Sequence, residues 1–227
     1  MRLRFLTILA LGTLLASSAS LAQASNPRPS LAGHGTGAVK PTVPHSEALL
    51  YSQNDSDGFN GITSQNFETA FDAYDNQGAD DFTVPAGVNW RVRQVVVTGT
   101  YAGFPGPAVS ENVSFYRDAG GLPGALITTQ TATGIDHRGS FAITLPAPLQ
   151  LKQGTYWVSV QVNMDFGTGG QWYWEARTVQ DGNPAAWQNP GDGFLSGCTT
   201  WGVMENCIFG GPTGIPDFMF ALYGAAR

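Results

Sequence analysis

Thr155-Tyr156-Trp157-Val158-Ser159-Val160-Gln161-Val162-Asn163 is the stretch that decides the fold. Tyr156, Val158, Val160 and Val162 share one parity; Trp157, Ser159, Gln161 and Asn163 share the other. Successive side chains of an extended strand point to opposite faces, so this pattern describes a strand with one dry face and one wetter face. Working outward, Phe141, Ile143 and Leu145 alternate with Ala142 and Thr144, and Val113 and Phe115 alternate with Ser114 and Tyr116. Further candidate strands cover 48–52, 80–84, 90–100, 112–117, 125–131, 141–145, 171–177 and 217–223. Trp90 and Val92 fit one parity while Val95 and Val97 fit the other, and a bulge near Arg93-Gln94 reconciles them. Ala119-Gly120-Gly121-Leu122-Pro123-Gly124 carries the turn residues of a tight connection between strands. Residues 64–74 amount to no more than a turn or short helix, and no repeat of about 20–50 residues argues for a propeller or solenoid. The expected fold is all-β: two antiparallel sheets packed face to face, a jelly-roll-like sandwich, in a single domain over 48–227.

Composition agrees. The 227 residues are 42% hydrophobic, ample for a core, but only 12% charged, and Lys40 and Lys152 are the only lysines. That charge content is about half the usual ~25%, too little for the solvated faces of a helical bundle. The 29 glycines and 14 prolines call for many turns. A formal net charge of −6 repels phosphate backbones and anionic bilayers, which argues against nucleic acid or a membrane surface as partner.

The amino-terminal residues have the three parts of an export signal. Arg2 and Arg4 precede an apolar run over 5–16, and Ala22-Gln23-Ala24 supplies a small-residue cleavage pattern. The reading is a signal peptide over 1–24, a flexible Pro/Gly-rich linker over 25–47, and a secreted or periplasmic mature chain. No later apolar stretch approaches the ~20 residues of a spanning helix. Cys198 and Cys207, nine residues apart in an exported chain, read as a disulfide closing a short loop.

Several of these blocks together resemble a known module. Ala79-Asp80-Asp81-Phe82-Thr83-Val84, Trp90-x-Val92, Val113-x-Phe115-Tyr116-Arg117-Asp118-x-Gly120-Gly121-Leu122-Pro123-Gly124, Gly154-Thr155-Tyr156-Trp157-Val158-Ser159-Val160 and Trp172-Tyr173-Trp174 follow in that order. The series is similar to an exported bacterial β-sandwich module of unknown function that carries "DDF", "FY-D-x-G-x-PG" and "GTYW-S" blocks, found in sorting-tag and multidomain secreted proteins. The resemblance spans 50–224 and implies a sandwich and export. It brings no catalytic residues with it.

Chemistry-bearing residues are sparse. A Ser-His-Asp set needs a histidine within the domain, and His137 there sits in a polar turn, with no G-x-S-x-G elbow. A retaining glycosidase needs two carboxylates ~5–5.5 Å apart in a cleft; Glu175, on the aromatic strand, suits one role, and Glu111, Glu205 or Asp165 would have to supply the other. Calcium is the fitting ion, with Asp55 and Asp57 in 54–61 as candidate ligands and Asp72, Asp75, Asp80 and Asp81 a second acidic group. An EF-hand alignment on Gly58 puts Gln53 and Ser64 where acids belong, so capping of the local backbone is the simpler reading of those acids.

Carbohydrate binding uses ring faces flanked by polar groups. Trp172 and Trp174 share a face with Ala176 and read as core. Trp157 and Tyr173 lie on the wetter parities, and if their strands are neighbours they form a stacking platform flanked by Gln161, Asn163 and Glu175. In the competing arrangement, 185–187 covers that face and buries both rings. The expected function is a secreted, non-catalytic binding or surface-interaction module for an extracellular glycan or cell-surface component. A secreted glycoside hydrolase using Glu175 and a structural envelope or matrix protein are the alternatives.

Overall fold

The structure, a computed structural model, describes residues 27–33, 47–104 and 106–227. The expected signal peptide and most of the expected linker lie outside the described residues. Eight strands form the framework: β1 (Ala48–Ser52), β2 (Gln77–Val84), β3 (Trp90–Val97), β4 (Ser110–Asp118), β5 (Pro123–Ala132), β6 (Ser140–Leu151), β7 (Gly154–Asn163) and β8 (Phe220–Ala226). One sheet runs β1-β8-β3-β6 and the other β2-β7-β4-β5, with every neighbouring pair antiparallel. Order 1-8-3-6 facing 2-7-4-5 is that of two nested Greek keys, the jelly-roll sandwich.

The two-residue period sorts side chains as expected. Tyr156, Val158, Val160 and Val162 of β7 meet Val95 and Val97 of β3, Ile143 of β6 and Leu222 of β8 in one core. The phase change in β3 is a bulge: Val92 pairs with Gly224 and Gln94 with Tyr223, leaving Arg93 unopposed on β8. Gly224 is required there, because a Cβ would collide with the Arg91 carbonyl.

Between β7 and β8 lies the aromatic strand Gln171–Arg177. One of its edges pairs with Asp57–Thr63; the other pairs with Gly99–Ala102 and Asp217–Phe218, which carry β3 and β8 onward past Thr98 and Met219. Trp172, Trp174 and Ala176 point into the core, as their parity requires. Burying an indole strands its N–H unless a carbonyl receives it. Trp172 donates to Gly139 O (2.6 Å), Trp174 to Met219 O (2.9 Å) and Trp187 to Thr63 O (2.9 Å).

One boundary moves. Residues 27–33, assigned by composition to the linker, are seated on the sandwich. Ala32–Gly33 pairs with Asp57–Thr63, and Ser30 N donates to Gln171 Oε1 while Gln171 Nε2 donates back to Ser30 O. Leu31 and Ala32 pack on the core and Gly33 lies against the Tyr173 ring, a contact too short to show an apolar period.

Acids are buried within this framework. Burial pushes Glu111 and Glu175 up to about 7; the Gly134 N–H opposes the shift at Glu111, and Asp57 adds to it at Glu175. Burial also raises Asp217, against the Asp181 N–H and Arg177. The native state therefore holds these protons more tightly than the unfolded chain. Their contribution is whole below the unfolded value near 4.5 and is lost as pH rises through about 7. Glu205 is shifted down, so its contribution is lost only at lower pH. The urea midpoint should accordingly be higher at pH 5 than at pH 7.5, and Glu111→Gln or Glu175→Gln should flatten that slope. A midpoint that rises with pH over this interval contradicts the assignment.

Candidate functional site

Residues opposite one another in a ladder share a face, so the outer face of the β2-β7-β4-β5 sheet resolves into rows. The first holds Asp81, Trp157, Tyr116 and Leu126; the second Ser159, Ser114 and Thr129. The third holds Gln161, Asn112 and Thr131; the fourth Asn163 and Ser110, with Asn66 on the far edge of β7. Gln77 of β2 keeps the parity of Asp81 and pairs with Gln188 of the adjoining strand Ala186–Gln188.

The first row is closed from Asp81 to Tyr116, and only Leu126 at its end is exposed. Trp157 has 0% exposure and packs with Ala79, Tyr116 and Ala186, with Leu122 and Trp201 against the cluster. Its Nε1 donates to Asp118 Oδ1 at 3.0 Å. Tyr173 does not lie beside it, since β7 is flanked by β2 and β4 while Gln171–Arg177 pairs elsewhere. Tyr173 is 3% exposed, lies against Gly33, and donates from its hydroxyl to Gln171 Oε1 at 2.9 Å. The Trp157–Tyr173 platform is therefore corrected: Ala186 and Trp201 cover one ring, and the amino-terminal segment covers the other. Alternation shows which way a ring points within its strand, but not what lies over it.

Glu175 is 3% exposed, and its Oε2 has no hydrogen-bond partner. The acids considered as its catalytic partners serve their own loops. Glu111 accepts from Gly134 N at 2.7 Å; Glu205 Oε1 accepts from the backbone of Thr213, Gly214 and Ile215; Asp165 precedes the short helix Phe166–Gly169. Asp55 Oδ1 accepts from Arg177 Nη2 at 2.6 Å, and Asp57 Oδ1 from Phe59 N at 2.7 Å. Asp55 thus already has a cation at its carboxylate. Among the described residues, no group of three or more His, Cys, Asp or Glu side chains is placed to hold a metal ion.

What the fold does assemble is a band of amides and hydroxyls around the remaining two candidates. Asn112 Nδ2 donates to Gln161 Oε1 (3.3 Å) and Asn163 Oδ1 (3.0 Å), while Thr131 Oγ1 donates to Asn112 Oδ1 (2.8 Å). Asn163 Nδ2 donates to Ser110 Oγ (2.9 Å) and Asn112 Oδ1 (3.2 Å), and Asn66 Nδ2 donates to Asn163 Oδ1 (3.0 Å). Gln161, 8% exposed, donates to Asn76 O; Asn66, Ser110, Asn112 and Asn163 are half-buried, and Thr131 is exposed. At the band's edge Gln188 Nε2 donates to Gln77 Oε1 at 2.8 Å. An amide offers two N–H groups and two acceptor positions. All four are taken at Asn112 and at Asn163. Ser110 retains its O–H donor and Thr131 its acceptor lone pairs.

Aromatic groups flank the band. Trp201 is half-buried and meets Tyr116 edge to face at 5.5 Å and 76°. Beyond Asn163 in the chain, Phe166 joins Phe71 and Phe104 in lining a cleft of about 390 Å3. That cleft is almost wholly apolar and offers few partners to a hydroxylated ligand. Of the band and its surroundings, the sequence reading named Gln161 and Asn163 as candidates and did not name Ser110, Asn112, Thr131, Gln188 and Trp201. Ser110, Asn112 and Ser114 already share the wet parity of β4. Only the β4–β7 register, set by long-range pairing, brings them to Gln161 and Asn163.

No protein-family model matches the sequence, and no curated protein does. Among solved structures the chain is similar to one containing the cysteine protease and lectin-like domains of Cwp84, a surface-layer-associated protein of Clostridium difficile. The TM-score is 0.50 at 12% identity, over 82% of this chain and 37% of that one. The chain therefore spans well under half of that neighbour's length, and the likeness is one of fold.

The closed first row has a measurable consequence. Trp157→Ala should lower stability by about 3–5 kcal/mol, as large-to-small core changes do, because it empties the cluster and strips Asp118 of its indole donor. A urea midpoint within error of wild type would show that the ring is not packed as described.

Proposed function

We propose that this chain is a secreted, non-catalytic glycan-binding module that works at a cell surface or in a matrix, with the amide–hydroxyl band as its binding face. The observation that carries the reading is the joined rows Gln161-Asn112-Thr131 and Asn163-Ser110-Asn66. Sugar hydroxyls are donors and acceptors at once, and a face whose amides are held by one another presents such partners at fixed positions. Less side-chain freedom is then lost on binding. The open valences lie at the rim, a donor at Ser110 and an acceptor at Thr131. Farther along the same face, at the first row, the half-buried Trp201 supplies apolar surface.

Further support comes from the chain's chemistry. The Cys198–Cys207 disulfide and the leader-like amino terminus favour an oxidising compartment outside the cytoplasm. The net charge of −6 disfavours polyanionic glycans, so neutral oligosaccharides are the ligand class. The presence of a lectin-like domain in the structural neighbour points the same way.

The mature chain on an array of neutral and anionic glycans should bind neutral members. Thr131→Val and Ser110→Ala should each weaken that binding about tenfold, the equivalent of one hydrogen bond of ~1.4 kcal/mol, with little change in melting temperature. Absence of binding across the neutral glycans, or affinity unmoved by both substitutions, would defeat this assignment.

A further inference from the structure

The loop closed by Cys198 and Cys207 is the outermost element of the polar-faced sheet. Gly202–Val203 pairs with Ala186–Trp187, and Ala186–Gln188 pairs in turn with β2. Hydrogen bonds hold both ends of the loop: Asn189 N donates to Cys198 O, and Met204 N to Ala185 O. Gly202 lies flat on the disulfide. A Cβ there would come within 2.8 Å of Cys207 Sγ and 3.2 Å of Cys198 Sγ. The bridge thus sits directly against the residue that follows Trp201.

After the ring, Met204 anchors the loop, fully buried in the core at the start of the helix Met204–Phe209. Before it, Cys198-Thr199-Thr200 has no apolar side chain besides the cysteine, so this half is held by the disulfide and the Asn189–Cys198 hydrogen bond. Trp201 rests edge to face on Tyr116 and keeps part of its surface in solvent. Tyr116 and Trp157 share the first row, and Asn163 lies in the fourth. Six residues of β7 separate those rows, about 20 Å at ~3.3 Å per residue. A ring at one end of such a strip matches an oligosaccharide rather than a single sugar.

We propose that Trp201 is the sugar-stacking residue of the glycan face, and that the Cys198–Cys207 disulfide positions it there. This rests on the glycan reading above and adds its apolar subsite. The disulfide then serves the binding face as well as the stability of the fold. The remaining ring of the cluster, Trp157, is closed to solvent and cannot take this role.

Calorimetry with a neutral oligosaccharide selected on the array tests the proposal, on wild type, Thr131→Val, Trp201→Ala, Trp201→Tyr and the double variant Cys198→Ser/Cys207→Ser. Trp201→Ala should weaken binding at least tenfold, and Trp201→Tyr should restore most of it. The cysteine double variant should match Trp201→Ala, and adding Trp201→Ala to it should cause no further loss. Circular dichroism of each variant checks that the sandwich is intact. If Thr131→Val weakens binding and Trp201→Ala does not, the ring assignment falls while the glycan face stands. If Trp201→Ala weakens binding and the cysteine double variant does not, the positioning role of the disulfide falls. If wild type binds no glycan, both readings fall together.

Discussion

β7 is paired along both edges, to β2 and to β4, while one of its faces is sealed against the opposite sheet. A one-residue slip would turn Val158, Val160 and Val162 outward and drive Trp157, Ser159 and Gln161 into the core. No such slip is tolerable, so the register of three strands is fixed together. Everything on the outer face inherits that register. Gln161 meets Asn112 and Asn163 meets Ser110 because the valines on the other side leave no choice.

The same constraint explains what the acid-bearing sequence blocks do here. Asp118, from the Asp-x-Gly-Gly block, accepts from the backbone of Gly120 and Gly121 and from the Trp157 indole, which belongs to the Gly-Thr-Tyr-Trp block. Asp81 accepts from the backbone and the amide of Asn183. Asp80 is fully buried and accepts from Gln53, from Phe218 N and from Asp81 N. These acids receive donors that burial would otherwise strand. In the sequence, Asp80 and Asp81 belong to an acidic group weighed as calcium ligands. In the fold they fasten turns and strand ends to the sandwich.

Legibility followed the range of the interaction. Alternation is local, so the strands, the Arg93 bulge and the inward turn of Trp172 and Trp174 were readable. Two cysteines nine residues apart were readable for the same reason. Of the cover over Trp157, Ala186 lies in the segment 185–187 that the competing arrangement named, whereas Trp201, farther along the chain, was not readable. The seating of 27–33 was not, because a two-residue strand, two apolar side chains and the close approach of Gly33 to Tyr173 are too few to make a hydrophobic period. Gln161 and Asn163 were legible as wet-parity residues of one strand. Their partnership with β4 required knowing which strand lies alongside.

Saturation within the band decides which of its members can act on a ligand. Asn112 and Asn163 have every side-chain valence committed to neighbours, so a sugar hydroxyl reaching either one would have to displace an existing bond. They act as the frame. Ser110 and Thr131 are each oriented by one bond to that frame and keep a complementary group open, a donor in one case and acceptor lone pairs in the other. Loss of the frame would strand several half-buried amides at once and disorder both rim groups, whereas loss of a rim hydroxyl removes one contact and leaves the sheet intact. A surface that keeps its strongest polar groups for holding shape and meets its partner through a few rim atoms gains little energy per contact. A ring at the far end of the same face is the natural complement, because stacking adds apolar area without asking more of the saturated amides.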